Sequence, residues 1–247
     1  MKQQKKATVR LTHISEVIEL TPHLRRIIVA GESLKDFPTG MEGAHVKVVL
    51  QQGDESEAKM RSYTIRSFNP ERNELAIDFV VNRHNGPATN WAMQAKVEDS
   101  VGIAGPGPMK ITNYNHSSYL LVGDLTSLNA INGYLPRFEK ATDIRVILAV
   151  PNRADIIEMD YDDSLNTEWF IEDEAMITLE EKVIETARGM PKDTHVFLAL
   201  EASCIRSLRP VLQEDIGFDR LNTVAVGYWK RGVDADRFGA QKKKNPL

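Results

Sequence analysis

At Gly105-Pro106-Gly107-Pro108 the hydrophobic rhythm of the chain changes, and a single uniform architecture is excluded. Before that point, β-type stretches run Ala7 to Ile14, Leu24 to Val29, Ala44 to Leu50, Arg61 to Arg66, Leu75 to Val81 and Val101 to Ala104, parted by Gly, Pro, Asn and Asp. Only Thr89 to Lys96 reads as a helix there, led in by Gly86-Pro87-Ala88. Short strands at this spacing predict a small antiparallel β-barrel of six strands. After the turn, strands at Tyr119 to Gly123, Ile144 to Val150, Glu168 to Ile171, Thr194 to Leu200 and Thr223 to Tyr228 are separated by longer segments. Within these, Thr126 to Glu139, Leu179 to Arg188 and Ser203 to Glu214 have helical spacing. The near-unbroken apolar run Ile144 to Val150 suits a strand covered on both faces. Alternating β and α units predict a Rossmann-like, doubly wound parallel α/β domain. The boundary falls near Ile111 to His116, giving domains over 1–113 and 114–247, and the basic run Lys242-Lys243-Lys244-Asn245-Pro246-Leu247 is expected to form a disordered tail.

Composition narrows the classes of function. With 247 residues, 42% hydrophobic and 27% charged, the chain has the profile of a folded globular protein. A formal net charge of -4 argues against general nucleic-acid binding. One cysteine, Cys204, can form no internal disulfide and gives no metal spacing, and six scattered histidines add none. The basic start Met1 to Lys6 leads into an alternating stretch, not an apolar run, so a cytoplasmic location is expected. No segment approaches the roughly 18 apolar residues of a spanning helix. No long apolar stripe remains after both domains are assigned, so a monomer is expected.

Arg61-Ser62-Tyr63-Thr64-Ile65-Arg66 is the stretch richest in chemistry. On a strand, Arg61, Tyr63 and Ile65 share one face and Ser62, Thr64 and Arg66 the other. Guanidiniums are donor forks suited to phosphate, Tyr63 is a flat stacking surface, and Thr64 supplies a hydroxyl. Such a set can grip something flat and phosphorylated, and a flavin nucleotide fits. An edge strand with merely solvated arginines would read the same way. The turn Gly86-Pro87-Ala88-Thr89-Asn90-Trp91 leads into a helix whose first N–H groups can seat a pyrophosphate. Thr89 can cap that helix and reach a phosphate oxygen, although a plain cap is the commoner use.

Five ordered motifs resemble the siderophore-interacting proteins, flavin-dependent ferric-siderophore reductases of the ferredoxin-NADP reductase-like superfamily. Arg61 to Arg66 matches their R-x-Y-T-x-R flavin motif. Asp78-Phe79-Val80-Val81, with Gly86-Pro87-Ala88 and Trp91-Ala92, matches the segment between flavin strand and phosphate helix. Gly105-Pro106-Gly107 matches a Gly-Pro turn, Gly123-Asp124-Leu125-Thr126-Ser127 resembles Gly-Asp-Glu-Thr-Ala, and Gly227-Tyr228-Trp229-Lys230-Arg231-Gly232 resembles the closing Gly-Tyr-Trp-Arg-x-Gly. The resemblance implies FAD, with Tyr63 on the isoalloxazine, Thr64 near the flavin N5, Arg61 at the pyrophosphate and Arg66 at phosphate or the polar ring edge. It extends the cofactor residues to Ser62, Asp78, Val80, His84, Gly86, Ala88, Thr89, Trp91, Thr126, Glu201 and Trp229. His84 stands near the position of a family His-Gly, or is a loop histidine.

The family's function would be reduction of Fe(III) in a ferric siderophore, of hydroxamate type here, releasing iron as Fe(II). Lys47, Lys230 and Arg231 are the candidates for an anionic substrate, and Lys47 reads equally as an outward lysine of an alternating strand. The electron donor is either NAD(P)H, docking beside Thr126 and Glu201, or reduced ferredoxin, meeting Lys230, Arg231, Arg237 and Lys242 to Lys244. Leu200 replaces a family glycine, Asn129 a proline, and no G-x-G-x-x-G occurs in the second half, which tilts the choice toward ferredoxin. A general flavin or ferredoxin oxidoreductase, or a non-enzymatic siderophore binder, are the alternatives.

Overall fold

The computed structural model describes residues 8–50, 59–83, 86–160 and 166–244. It divides into two compact units, Met1–Met109 and Lys110–Leu247. The division falls between Met109 and Lys110, not between Asn113 and Tyr114. The intervening residues are tied forward, since Lys110 N–H donates to the Tyr134 hydroxyl and Tyr114 donates to the Ile111 carbonyl.

The first unit is a closed antiparallel barrel of β1 (Val9–Thr21), β2 (Leu24–Ala30), β3 (His45–Leu50), β4 (Lys59–Asn69), β5 (Glu74–Val80) and β6 (Ser100–Ala104), in the order β1-β2-β5-β4-β3-β6. Alternating apolar residues fill it: Val46, Val48 and Leu50 of β3, Ile65 of β4 and Ile77 and Phe79 of β5 are all buried. Strand β1 runs seven residues past the expected Ile14 because bulges between Ile14 and Glu16, and between Glu19 and Thr21, interrupt its alternation. Its first half pairs with β6 and its second with β2, which closes the barrel. Helix α1 (Pro87–Gln94) lies between β5 and β6. It starts two residues before the expected Thr89, since Pro87 takes the first helical position, where its missing N–H costs nothing.

The second unit is a five-stranded parallel sheet in the order β11-β10-β7-β8-β9, built from β7 (Ser118–Asp124), β8 (Asp143–Val150), β9 (Asn166–Ile171), β10 (His195–Glu201) and β11 (Thr223–Trp229). Helices α2 (Leu128–Tyr134), α3 (Leu179–Arg188) and α4 (Ala202–Pro210) connect them. Val183, Ala187, Ile205 and Leu208 of α3 and α4 join Leu120, Val122, Val196 and Leu198 of the sheet in one core, so β7 and β10 are buried throughout their middles. The chain winds outward from β7 through β8 to β9, then returns to the other side of β7 with β10. That order creates a switch point between the carboxyl ends of β7 and β10. Helix α2 is shorter than the expected Thr126 to Glu139: a turn occupies Asp124 to Ser127, and Pro136 converts the far end to a 3-10 turn over Leu135–Arg137. The basic run differs from expectation over Lys242 to Lys244, which are helical, while Asn245 to Leu247 lie outside the described residues. Ala235–Lys244 forms a helix, α5, fixed by Lys242, whose ammonium donates to the Gly227 carbonyl at 3.0 Å and lies 4.5 Å from the Phe238 ring centre. Among the described residues no helix is long and apolar enough to cross a membrane.

Candidate functional site

In the barrel, chemistry concentrates on β4 and α1. Tyr63 lies opposite Val46, and Arg61 opposite Val48, so both point to the face that β3 turns toward the core. The Tyr63 ring centre is 4.2 Å from that of Phe79, which is 5.4 Å from Trp91, forming an aromatic layer at the barrel wall. Burial pushes the Tyr63 phenol well above its ordinary range, against a smaller opposing pull from Arg61. Its use is therefore as a neutral surface. Arg61 donates to the Met60 carbonyl at 3.0 Å. Arg66 sits at the bulge between Ile65 and Ser67, which breaks the strict alternation expected for this strand.

Ser62 and Thr64 point the other way. Ser62 accepts from the Lys47 ammonium directly across the β3–β4 pair, so two residues expected in different roles meet on the outer face. Thr64 is buried, opposite His45. The His45 carbonyl accepts from Gly107 N–H at 2.7 Å, and a Cβ on Gly107 would come within 2.3 Å of the His45 ring. The Gly-Pro turn thus lies against the imidazole, and nothing in the sequence pointed to His45.

Helix α1 begins without a side-chain cap. Its N-cap is Gly86, in extended conformation, with open space around the position of a Cβ. Thr89, expected as the cap, instead lies in the first turn and is buried, and Ala88 and Trp91 pack on the barrel core. An aromatic surface, a guanidinium on the same strand face and a helix start with no side-chain cap suit a flavin dinucleotide, so the barrel fits FAD. Asp78 is committed elsewhere: its buried carboxylate takes a bidentate pair from Arg26 at 2.7 and 2.9 Å across the β2–β5 ladder. Val80 closes β5 half-buried, and His84 lies outside the described residues.

Thr126, Glu201, Trp229, Lys230 and Arg231 belong to the α/β unit. The motif around Gly123 and the closing Gly-Tyr-Trp, 105 residues apart, meet in one hydrogen bond, Trp229 Nε1 to Asp124 Oδ2 at 2.7 Å. Asp124 Oδ1 also accepts from Thr126 N–H at 2.8 Å. Gly123 is required because a Cβ there would lie 2.4 Å from Ser127 Oγ, which donates to the Ala199 carbonyl at 2.6 Å. Glu201 caps α4. Lys230 donates to Gln241, while Arg231 lines a crevice of about 620 Å³ with Phe170, Leu179, Leu200 and Trp229. The Cys204 thiol in its wall is pushed far above its ordinary value by burial and by Glu180. It is inert.

The barrel and the sheet are each matched by a family model. Residues 13–59 and 51–109 match the siderophore-interacting FAD-binding domain, and residues 116–232 match the siderophore-interacting protein model. The chain belongs to the siderophore-interacting protein family. Among its relatives, ferric vibriobactin reductase ViuB of Vibrio cholerae is 24% identical over 244 residues, covering 90% of each chain. Ferric acinetobactin reductase of Acinetobacter baumannii is 23% identical, over 79% of this chain and 70% of its own. Siderophore-interacting protein SipS from Aeromonas hydrophila superposes with a TM-score of 0.82 at 28% identity, covering 96% of this chain and 98% of that one.

Proposed function

We propose that this protein reduces the Fe(III) of ferric siderophores, of hydroxamate type, in the cytoplasm, through bound FAD supplied with electrons by reduced ferredoxin or NAD(P)H. The carrying observation is the barrel's helix start at Gly86, which has no side-chain cap, in a unit that also holds the Tyr63–Phe79–Trp91 layer and in a chain of this family. Bound FAD would supply the conversion of an electron pair into single electrons for Fe(III), chemistry that no side chain supplies.

The chain's own residues bind and orient. The α1 N-terminus and Arg61 would hold the pyrophosphate, and Arg66 would take a phosphate or the polar ring edge. Tyr63, neutral over the whole working range, would offer its face to the isoalloxazine, and the Thr64 hydroxyl would hydrogen-bond near N5. Ser62 would hold Lys47 on the outer barrel face, and Lys47, Lys230 and Arg231 would attract an anionic ferric complex. Fe(II) is held weakly by hard oxygen chelators, so reduction releases the metal and needs no protein ligand. Among the described residues no cluster of His, Cys, Asp or Glu could hold an ion.

The test is anaerobic. Flavin-loaded protein reduced with dithionite is mixed with ferric hydroxamate and ferric catecholate complexes, and Fe(II) is trapped with a coloured chelator. Fe(II) formation with the hydroxamate is the expected result. A colourless protein that binds the complex without reducing it would make it a carrier, and selective turnover of quinones or cytochromes a general flavin oxidoreductase.

A further inference from the structure

Helix α1 is too short to fix its own position, and a side chain from outside it does so. Isolated helices of this length are marginal in water. The eight residues Pro87–Gln94 have no side-chain cap at their start, no acidic residue in the first turn and no basic residue in the last. Tertiary contacts must therefore hold the helix. Ala88 and Trp91 pack on the barrel core, and Ala92 and Ala95 are buried in it. Such apolar contacts are non-directional, so they seat the helix on the wall but constrain its slide and rotation weakly. At its far end the backbone offers a directed handle. Ala95 N–H returns to the Trp91 carbonyl at 2.9 Å, but Lys96 N–H, the next donor in the ladder, goes to the Asp99 carboxylate at 2.8 Å. The Ala92 carbonyl is thus one of the acceptors that a helix end leaves over. Arg25 takes it, donating from Nη1 at 2.5 Å.

Arg25 is built to anchor. It stands on β2, opposite Phe79 of β5, the central ring of the aromatic layer. Its side chain is only 17% exposed, and its Nε lies 2.6 Å from Glu19 Oε1 across the β1–β2 pair. A carboxylate on β1 and a carbonyl at the end of α1 therefore hold one rigid guanidinium between barrel wall and helix. The cation also meets the negative end of the α1 dipole, a charge that the helix does not carry itself. Arg25 belongs to none of the five sequence motifs. Ala92 lies about 8 Å along the helix axis from Pro87, so Arg25 acts on the helix start only through the helix.

Resting on the flavin reading above, we propose that Arg25 is a positioning residue for the FAD diphosphate: by pinning the last turn of α1 to β2 it fixes where the first-turn N–H groups point. Its effect falls on the diphosphate half of the cofactor. Hydrogen bonds weaken steeply with distance and angle, so a helix displaced by about 1 Å loses its grip on phosphate oxygens. Stacking on Tyr63, which β4 carries, tolerates the same displacement.

Fluorescence titration of the full-length apoprotein with FAD and with riboflavin, which has the ring but no phosphate, tests this. Arg25→Ala should bind FAD about tenfold more weakly than the wild type and riboflavin equally well. Arg25→Lys restores a cationic donor and should recover part of the lost FAD affinity. Glu19→Gln, which releases the other side of the guanidinium, should lose less than Arg25→Ala. Hydrogen exchange of the apoprotein gives a second readout. The amides of Asn90 and Ala95 should exchange about tenfold faster in Arg25→Ala, and those of Ile77 and Phe79 at the wild-type rate. A merely structural role would lower both affinities together and speed exchange throughout the barrel, and that result overturns the proposal. So does unchanged FAD affinity in folded Arg25→Ala. If that variant does not fold, Arg25→Lys and Glu19→Gln must show the FAD-only loss, and if riboflavin binds too weakly to measure, the exchange pattern decides. A wild-type protein that binds no FAD refutes the flavin reading itself, an outcome distinct from these.

Discussion

His195 opens β10 with 7% of its surface exposed, and neither ring nitrogen has a hydrogen-bond partner. Burial, helped by the His116 ring whose centre is 4.9 Å away, lowers its pKa from 6.5 to about 4. Between those values the unfolded chain takes up a proton that the folded chain refuses, so stability present above pH 6.5 is lost as pH falls toward 4. From pH 7 to pH 5 that contributes a loss of about 2 kcal/mol. Urea titrations at the two pH values should show a smaller loss in His195→Phe than in the wild type, by about that amount. An equal loss in both proteins would rule out the buried imidazole as a source. Gly123 supports a second residue-level prediction. Its missing Cβ leaves room for Ser127 Oγ, which is tied to Asp124 N–H and the Ala199 carbonyl and cannot swing aside without losing both bonds. Gly123→Ala should cost about 2 kcal/mol in denaturant unfolding, and Ser127→Ala in the same chain should recover part of it.

Among the elements, β2 and β5 are joined by the Arg26–Asp78 pair as well as by their ladder. The Asp78 carboxylate is nearly inaccessible, so removing the guanidinium would take a bidentate partner from a buried charge. Arg26→Ala should destabilise the barrel by about 3 kcal/mol, while Asp78→Asn/Arg26→Gln, measured in the same titration, should cost less because no unpaired charge remains. Sequence alone placed Asp78 in a flavin motif, and only the strand register reveals its partner. The same limit explains which elements were legible. Strands β3, β5 and β8 and helices α3 and α4 carry their periodicity in contiguous residues, so they could be read directly. The far half of β1 could not, because each bulge shifts the alternation by one residue and hides the strand. Lys242 to Lys244 read as part of a tail because a run of lysines resembles a solvated terminus, yet they end helix α5. What orders it are the Lys242 contacts to Gly227 and Phe238, which depend on tertiary structure.

For the whole molecule, the two halves treat helix N-termini in opposite ways, and this was partly legible in the motifs themselves. Gly86-Pro87 announces a helix start with no capping side chain, whereas the Asp and Glu of the later motifs accept from the backbone of their own turns. Likewise, the sequence contains both Asp124 and Trp229 in named motifs, but nothing in it joins them. A cofactor seated on the uncapped start should therefore leave its imprint on the barrel. Hydrogen exchange of the apoprotein with and without FAD should slow the amides of Met60 to Arg66 and of Ala88 to Trp91. Those of Ser203 and Cys204, already held by Glu201, should be protected before FAD arrives. Arg61→Ala, which removes a charge-assisted phosphate contact, should weaken FAD binding by about tenfold to a hundredfold. Tyr63→Ala should also lower affinity, through lost stacking, and would create a cavity against Phe79 that appears as lost stability in the apoprotein. The two effects are separable, because FAD at a hundred times its Kd adds about 2.7 kcal/mol of stability to any variant that still binds it. Arg61→Ala should recover that increment at high FAD, whereas Tyr63→Ala should remain below the wild type at every FAD concentration. If Arg61→Ala retains wild-type affinity and the Met60 to Arg66 amides stay unprotected, the flavin does not sit on β4, and the assignment of that strand is wrong.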